Sequence, residues 1–168
     1  MKLSTVLRQA KSGELRQLST IDKTDDVIVD HINLALLAIY SRFQLKTAEI
    51  VISLATGKTE YLLDGTDVDV SLTSTEPVLQ LVEAFDEAGA IGINDDTSVY
   101  SIYTISYDTV QVPVTEDNAF ISIIYKPEPV EVLFVDSGDG SAEEADIPLP
   151  KALIEPLLIY IGYRGFSL

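Results

Sequence analysis

Apolar positions between Asp25 and Leu45, DDVIVDHINLALLAIYSRFQL, follow the helical period of about 3.6 residues and then overrun it. The segment predicts one helix. Ile32, Leu34, Ala35, Leu36, Leu37, Ala38, Ile39 and Tyr40 point in every direction around its axis. A helix apolar all round has to be covered all round. A chain of 168 residues has a modest core to offer, so the pattern implies cover from a neighbouring subunit. Leu34, Leu37 and Tyr40 are therefore expected not all to face one intramolecular core. Thr24, Asp25 and Asp26 supply N-cap and first-turn residues, and Arg42 suits the negative end of the helix dipole.

The flanking patterns are different. Leu3 to Leu18 has a helical stripe of Val6, Leu7, Ala10, Leu15 and Leu18, interrupted at Ser12-Gly13, and a loop follows from Ser19 to Lys23. After Leu45 the pattern turns to alternation. Ala48 to Leu54 predicts a strand with Ile50, Ile52 and Leu54 on one face. Thr56-Gly57-Lys58 then predicts a turn, and Thr59 to Leu63 a return strand, making a hairpin. Asp64 to Pro77 is a polar loop with a short candidate strand at Val68–Leu72. Val78 to Gly89 fits helix by propensity and either period by its apolar positions; we read a hairpin ending at Asn94-Asp95-Asp96. Further strands are predicted at Ser98–Ile105, Thr109–Val114 and Asn118–Tyr125, with Pro113 marking an edge or strand end and Val130–Val135 continuing the sheet. Asp136 to Asp146 is an acidic loop. A last, very apolar helix is expected from Lys151 to about Phe166, with Pro150 near its start and Pro156 as a candidate kink. The order defines an α+β chain: N-terminal helices, a central antiparallel sheet, and a C-terminal helix. We read it as a single domain, helical over 1–45, β-rich over 46–135, a loop over 136–150 and helical over 151–168.

Composition narrows the function. No run is long and apolar enough to span a bilayer, and the charged first residues do not form a secretory signal. Cysteine is absent, which excludes disulfides, thiolate metal sites and cysteine nucleophiles. His31 is the only histidine, so no His–His metal pair exists and triad chemistry is disfavoured. The net charge is −16, and no Lys or Arg occurs between Lys58 and Lys126. Gripping nucleic acid needs cations, whereas an acidic surface lets it slide.

Candidate chemistry is thin. Asp136, Asp139, Glu143, Glu144 and Asp146 are spaced wrongly for an EF-hand, and Asp64, Asp67 and Asp69 form a second acidic cluster; a solvated loop explains both better than a calcium site. Acids this abundant make any carboxylate pair uninformative for glycoside chemistry. Gly138-Asp139-Gly140 lacks the lysine and the strand–helix setting of a phosphate loop. His31 is expected to have its ring nitrogens satisfied by local hydrogen bonds. Tyr100, Tyr103, Tyr107 and Tyr125 offer a stacking platform or, better, ordinary strand packing. No enzyme, cofactor or metal is indicated.

Several local patterns are similar to one family. Ser12-Gly13-Glu14-Leu15 with Gln17-Leu18-Ser19 resembles the GEL-x-x-LS stretch of head–tail adaptor proteins of tailed bacteriophages. Ile32-Asn33-Leu34-Ala35-Leu36 with Tyr40-Ser41-Arg42-Phe43-Gln44-Leu45 resembles their helix of the form IN-x-x-L…LY-x-RF-x-L. Thr59 to Leu63, Phe85 to Gly89, Ile93 to Asp95, Val110 to Pro113, Ile121 to Tyr125, Ile147 to Leu149 and Leu157 to Ser167 follow in the family's order. Gly162 and Gly165 depart from it, standing where helix formers are expected, and relatives are expected to continue past Leu168. The resemblance implies a structural virion protein of the neck. It would form a homo-oligomeric ring, commonly of twelve copies, between the portal protein and tail or neck proteins. DNA passes through such a ring without specific binding. The resemblance implies no catalytic residue. Expected subunit contacts are Leu34, Leu37, Tyr40, Arg42, Phe43, Leu157 and Tyr160. The alternative is a β-rich tail or baseplate module recognising a saccharide or protein.

Overall fold

A computed structural model describes residues 1–18, 24–113, 120–134 and 145–167. The chain divides into two compact units, Met1–Phe43 with Pro129–Leu168, and Gln44–Glu128. The expected loop Ser19–Lys23, and Asp136, Asp139, Glu143 and Glu144 of the acidic loop, lie outside the described residues.

The first unit is helical. Helix α1 runs Leu3–Ser12 and buries Leu3, Val6, Leu7 and Ala10. It stops at Gly13, whose N–H bonds Gln9 O at 2.8 Å. Helix α2 runs Asp25–Arg42, ending earlier than the apolar pattern implied. Thr24, in extended conformation, precedes it. The Thr24 hydroxyl bonds the Asp26 side chain and holds that carboxyl below its ordinary value. A single 3-10 turn at Lys151–Leu153 leads into α3, Ile154–Phe166. Pro156 therefore falls in the first turn of α3, where its missing N–H has no helical acceptor to lose, and no kink is needed. The three helices pack on one another. The chain start is tied in by Leu3 N–H to Ala145 O at 2.8 Å and Ile147 N–H to Met1 O at 2.7 Å.

Residues 130–134 do not continue the sheet, contrary to the sequence expectation. They belong to the helical unit, because Asn33 on α2 takes over the backbone of Val132. Its Nδ2 donates to Val132 O and its Oδ1 accepts from Val132 N–H, both at 2.9 Å. The carboxamide thus imitates a neighbouring strand, and the Val132 side chain is buried.

The second unit is built of antiparallel strands: β1 Ala48–Ser53, β2 Glu60–Leu62, β3 Val70–Leu72, β4 Val78–Asp86, β5 Gly89–Ile91, β6 Tyr103–Ser106, β7 Thr109–Gln111 and β8 Phe120–Pro127. Five form a sheet in the order β3-β1-β8-β4-β5, and three form another, β2-β7-β6. Val78–Gly89 thus opens with a strand that turns back into β5. Asp86 Oδ1 accepts the N–H groups of Ala88 and Gly89 there, and Gly89 takes the positive φ of 139° that the turn requires.

The expected hairpin of β1 with β2 does not form. The turn exists, with Lys58 N–H on Ala55 O at 3.0 Å, but β2 pairs with β7, setting Tyr61 opposite Val110. The reason lies in Tyr61. Its hydroxyl accepts from Ala55 N–H and donates to Lys58 O, tying up the turn, while its ring is fully buried. Ile50, Ile52, Ile121, Ile123 and Tyr125 of the large sheet form one apolar cluster with Tyr61 and Val110 of the small one and with Val112, just past β7.

Candidate functional site

On α2, the positions Asp26, Asp30, Leu34, Leu37 and Ser41 all face outward, spaced as one helical stripe. The opposite side, from Ile28 to Tyr40, is buried. Two leucines thus stand in an otherwise polar outer stripe, Leu34 at 43% exposure and Leu37 at 40%. The expectation that Leu34, Leu37 and Tyr40 do not share one core agrees with this placement. Arg42 and Phe43 are also exposed at the helix end.

Tyr40 and Leu157, expected as subunit contacts, are buried within the helical unit. Tyr40 is 7% exposed and its hydroxyl donates to Pro148 O at 2.8 Å; Leu157 is fully buried. Both complete the helical unit's own core, because α2 and α3 pack with those sides inward. Tyr160 is half-buried. In its place α3 presents Ile159, Tyr163 and Phe166, all exposed. Their spacing of four and three residues marks one helical side, opposite Ile154, Leu157 and Ile161. That signal was present in the sequence but merged with the apolar residues on the inner side.

The two glycines of α3 have a packing role. A Cβ at Gly162 would lie 3.1 Å from Glu14 Cβ, and one at Gly165 would lie 2.6 Å from a Leu15 methyl and 3.0 Å from a Leu18 methyl. Their absent side chains let the turn after α1 rest on α3, which explains why helix formers are missing there.

Other candidates dissolve on inspection. Lys58 sits between Asp67 and Asp69, with Nζ–O distances of 2.6 and 2.7 Å, and lies over the Tyr61 ring at 4.8 Å. The hydrogen bond from Lys58 holds the Asp67 carboxyl below its ordinary value. An ammonium already occupies the place a cation would take. No cluster of metal-ligand residues occurs among the described residues. Asp146 faces Lys2 Nζ at 3.4 Å. His31 is buried, and its Nδ1 has no hydrogen-bond partner, contrary to expectation. Burial, with nearby Arg164, keeps the ring neutral by lowering its pKa. The four strand tyrosines do not form one platform: Tyr125 is fully buried and Tyr103 half-buried, while Tyr100 and Tyr107 are exposed. No described helix is long and apolar enough to cross a membrane.

No protein-family model matches the chain, and no curated protein matches it.

Proposed function

We propose that this chain is a head–tail adaptor of a tailed bacteriophage, a neck protein that closes into a ring between portal and tail and carries the DNA channel. The observation that supports this best is the pair of outward apolar stripes, Leu34 and Leu37 on α2 and Ile159, Tyr163 and Phe166 on α3. A ring formed by rotation has heterologous contacts, so each subunit must offer two different surfaces. Fully burying one such side chain contributes about 1.5–3 kcal/mol. These five are each partly exposed, so covering them yields roughly 4–8 kcal/mol. Association costs about 4–15 kcal/mol in lost freedom. Free subunits therefore associate weakly through these surfaces alone, and docking on a portal ring supplies the remainder. The adaptor has no catalytic duty, and its surplus of acids keeps DNA phosphates from sticking in the channel.

Native mass spectrometry of the protein, alone and mixed with the purified portal ring of its phage, tests this. The expected species is a closed ring, alone or on the portal, and Leu34→Asp with Leu37→Asp abolishes it while far-UV circular dichroism is unchanged. A chain that stays monomeric in both mixtures, or a folded double variant that assembles normally, overturns it.

A further inference from the structure

A cleft of about 730 Å³ opens in the β unit. One wall is β3 with the loop 74–78; the other is Leu63 to Gly65 with Tyr107 and Asp108. We propose that it receives an extended, lysine- or arginine-bearing peptide segment of a partner protein, added as a strand to the free edge of β3. The proposal goes beyond the ring and does not depend on it.

The backbone supplies the first reason. β3 ends the five-stranded sheet, and no described strand pairs with its outer side. Ser53 N–H bonds Asp69 O at 2.8 Å and Thr73 N–H bonds Glu49 O at 3.0 Å. In an antiparallel ladder these bonds turn Asp69, Ser71 and Thr73 toward β1, so Val70 and Leu72 direct their backbone groups outward. The Val70 N–H is taken by Asp67 O at 3.1 Å. Among the described residues nothing takes the Leu72 N–H or C=O or the Val70 C=O, which stay open to an incoming strand. A peptide that adds to a sheet edge takes its affinity from such bonds and its specificity from the flanking side chains.

Those side chains select for positive charge. Leu63, Val70, Leu72 and Val78 give the cleft apolar surface, while Asp64, Glu76, Asp108 and Glu128 line it without a single Lys or Arg. Of these four acids, Glu76 is already paired, with Lys46 at 2.8 Å. Asp64 is held by the Thr66 hydroxyl at 2.6 Å, and Asp108 by the hydroxyls of Ser106 at 2.6 Å and Thr109 at 3.0 Å. These donors are neutral; they hold both carboxylates in place and favour the ionised form, and no described Lys or Arg pairs with either. Tyr107, 86% exposed, stands at the rim, where its ring face is available to a cation. With three backbone groups on offer the affinity is modest.

Fluorescence anisotropy on the full chain tests the proposal, with a labelled Lys-Val-Lys-Val-Lys amide as probe. The expected dissociation constant lies below about 1 mM. A Glu-Val-Glu-Val-Glu peptide is expected to bind at least roughly tenfold more weakly. The lysine peptide with alternate backbone nitrogens methylated on the β3-facing side loses about as much. Asp64→Asn with Asp108→Asn weakens the lysine peptide severalfold, and the peptide slows hydrogen exchange at the Leu72 amide. Absence of binding, equal binding of the glutamate peptide, equal binding of the methylated peptide, or a folded double variant that binds unchanged would each overturn it; equal binding of the methylated peptide would show that charge alone holds the probe.

Discussion

Replacing Asn33 by alanine tests the bond that joins the segment after the sheet to the helical unit. The side chain makes two hydrogen bonds of 2.9 Å to Val132, one through each backbone group. Val132 is buried, so removing the carboxamide leaves an N–H and a C=O without partners and away from water. Two lost bonds with incomplete rehydration of both groups cost about 2–4 kcal/mol. At this chain length that lowers the midpoint of thermal unfolding of the helical unit by roughly 5–15 °C. Asn33→Asp is the sharper variant. Its carboxylate still accepts from the Val132 N–H, but its second oxygen faces the Val132 carbonyl, so it should cost at least as much at neutral pH. Urea unfolding gives the stability, and amide hydrogen exchange at Val132 reports the bond itself. A loss in Asn33→Ala below about 0.5 kcal/mol, with Val132 exchange unchanged, would falsify the strand-imitating role.

Gly165→Ala gains about 1 kcal/mol of helix propensity but presses on Leu15 and Leu18. We expect a net loss of up to about 2 kcal/mol by urea unfolding, relieved when Leu15→Val makes room; stabilisation by Gly165→Ala alone would refute the packing role. The Asp67 carboxyl, lowered from its ordinary 3.8 by Lys58, contributes stability that is fully present above that value and is lost as pH falls through the lowered one. Lys58→Met should weaken this acid-range dependence and raise the Asp67 pKa part of the way, the Leu62 and Asp69 N–H bonds to the carboxylate remaining, followed by carboxyl NMR titration; an unmoved titration would show that Lys58 does not set it.

The α+β class was legible because periodicity switches cleanly at Leu45 and returns near Lys151. Strand pairing was less so. Thr56-Gly57-Lys58 carries an ordinary turn signal, and the turn does form, yet β2 leaves for β7 because Tyr61 must be buried. Turn residues report only local geometry, whereas the partner of Tyr61 is Val110, far along the chain. The described part of the expected continuation Val130–Val135, residues 130–134, leaves the sheet for a similar reason: a side chain of α2 holds its backbone at Val132. The sequence shows α2 only as apolar all round; that its outward side is the stripe of Asp26, Asp30, Leu34, Leu37 and Ser41 emerges from the packing. On α3 no polar markers separate Leu157 from Ile159 in the sequence, and only the packing shows Leu157 inside and Ile159 outside. Gly162 and Gly165 gave no hint of their purpose, which depends on Glu14, Leu15 and Leu18 being brought to them.

The charge separates along the same division as the fold. Residues 44–128 hold fifteen Asp and Glu against three Lys, a net −12, and the remaining residues hold twelve against eight, a net −4. Identical copies repel in proportion to the product of their facing charges, screened beyond about 8 Å at physiological salt. Copies that met through the β unit would set −12 against −12, without a lysine to spare between Lys58 and Lys126. Copies that met through the helical unit would set −4 against −4 and cover Leu34, Leu37 and the α3 stripe. On the adaptor proposal, acidity toward DNA and adhesion toward neighbours would conflict if spread over one surface. Concentrating the acids in the β unit removes most of that conflict, and it leaves the β3 cleft as the place where a basic partner segment is drawn in rather than repelled.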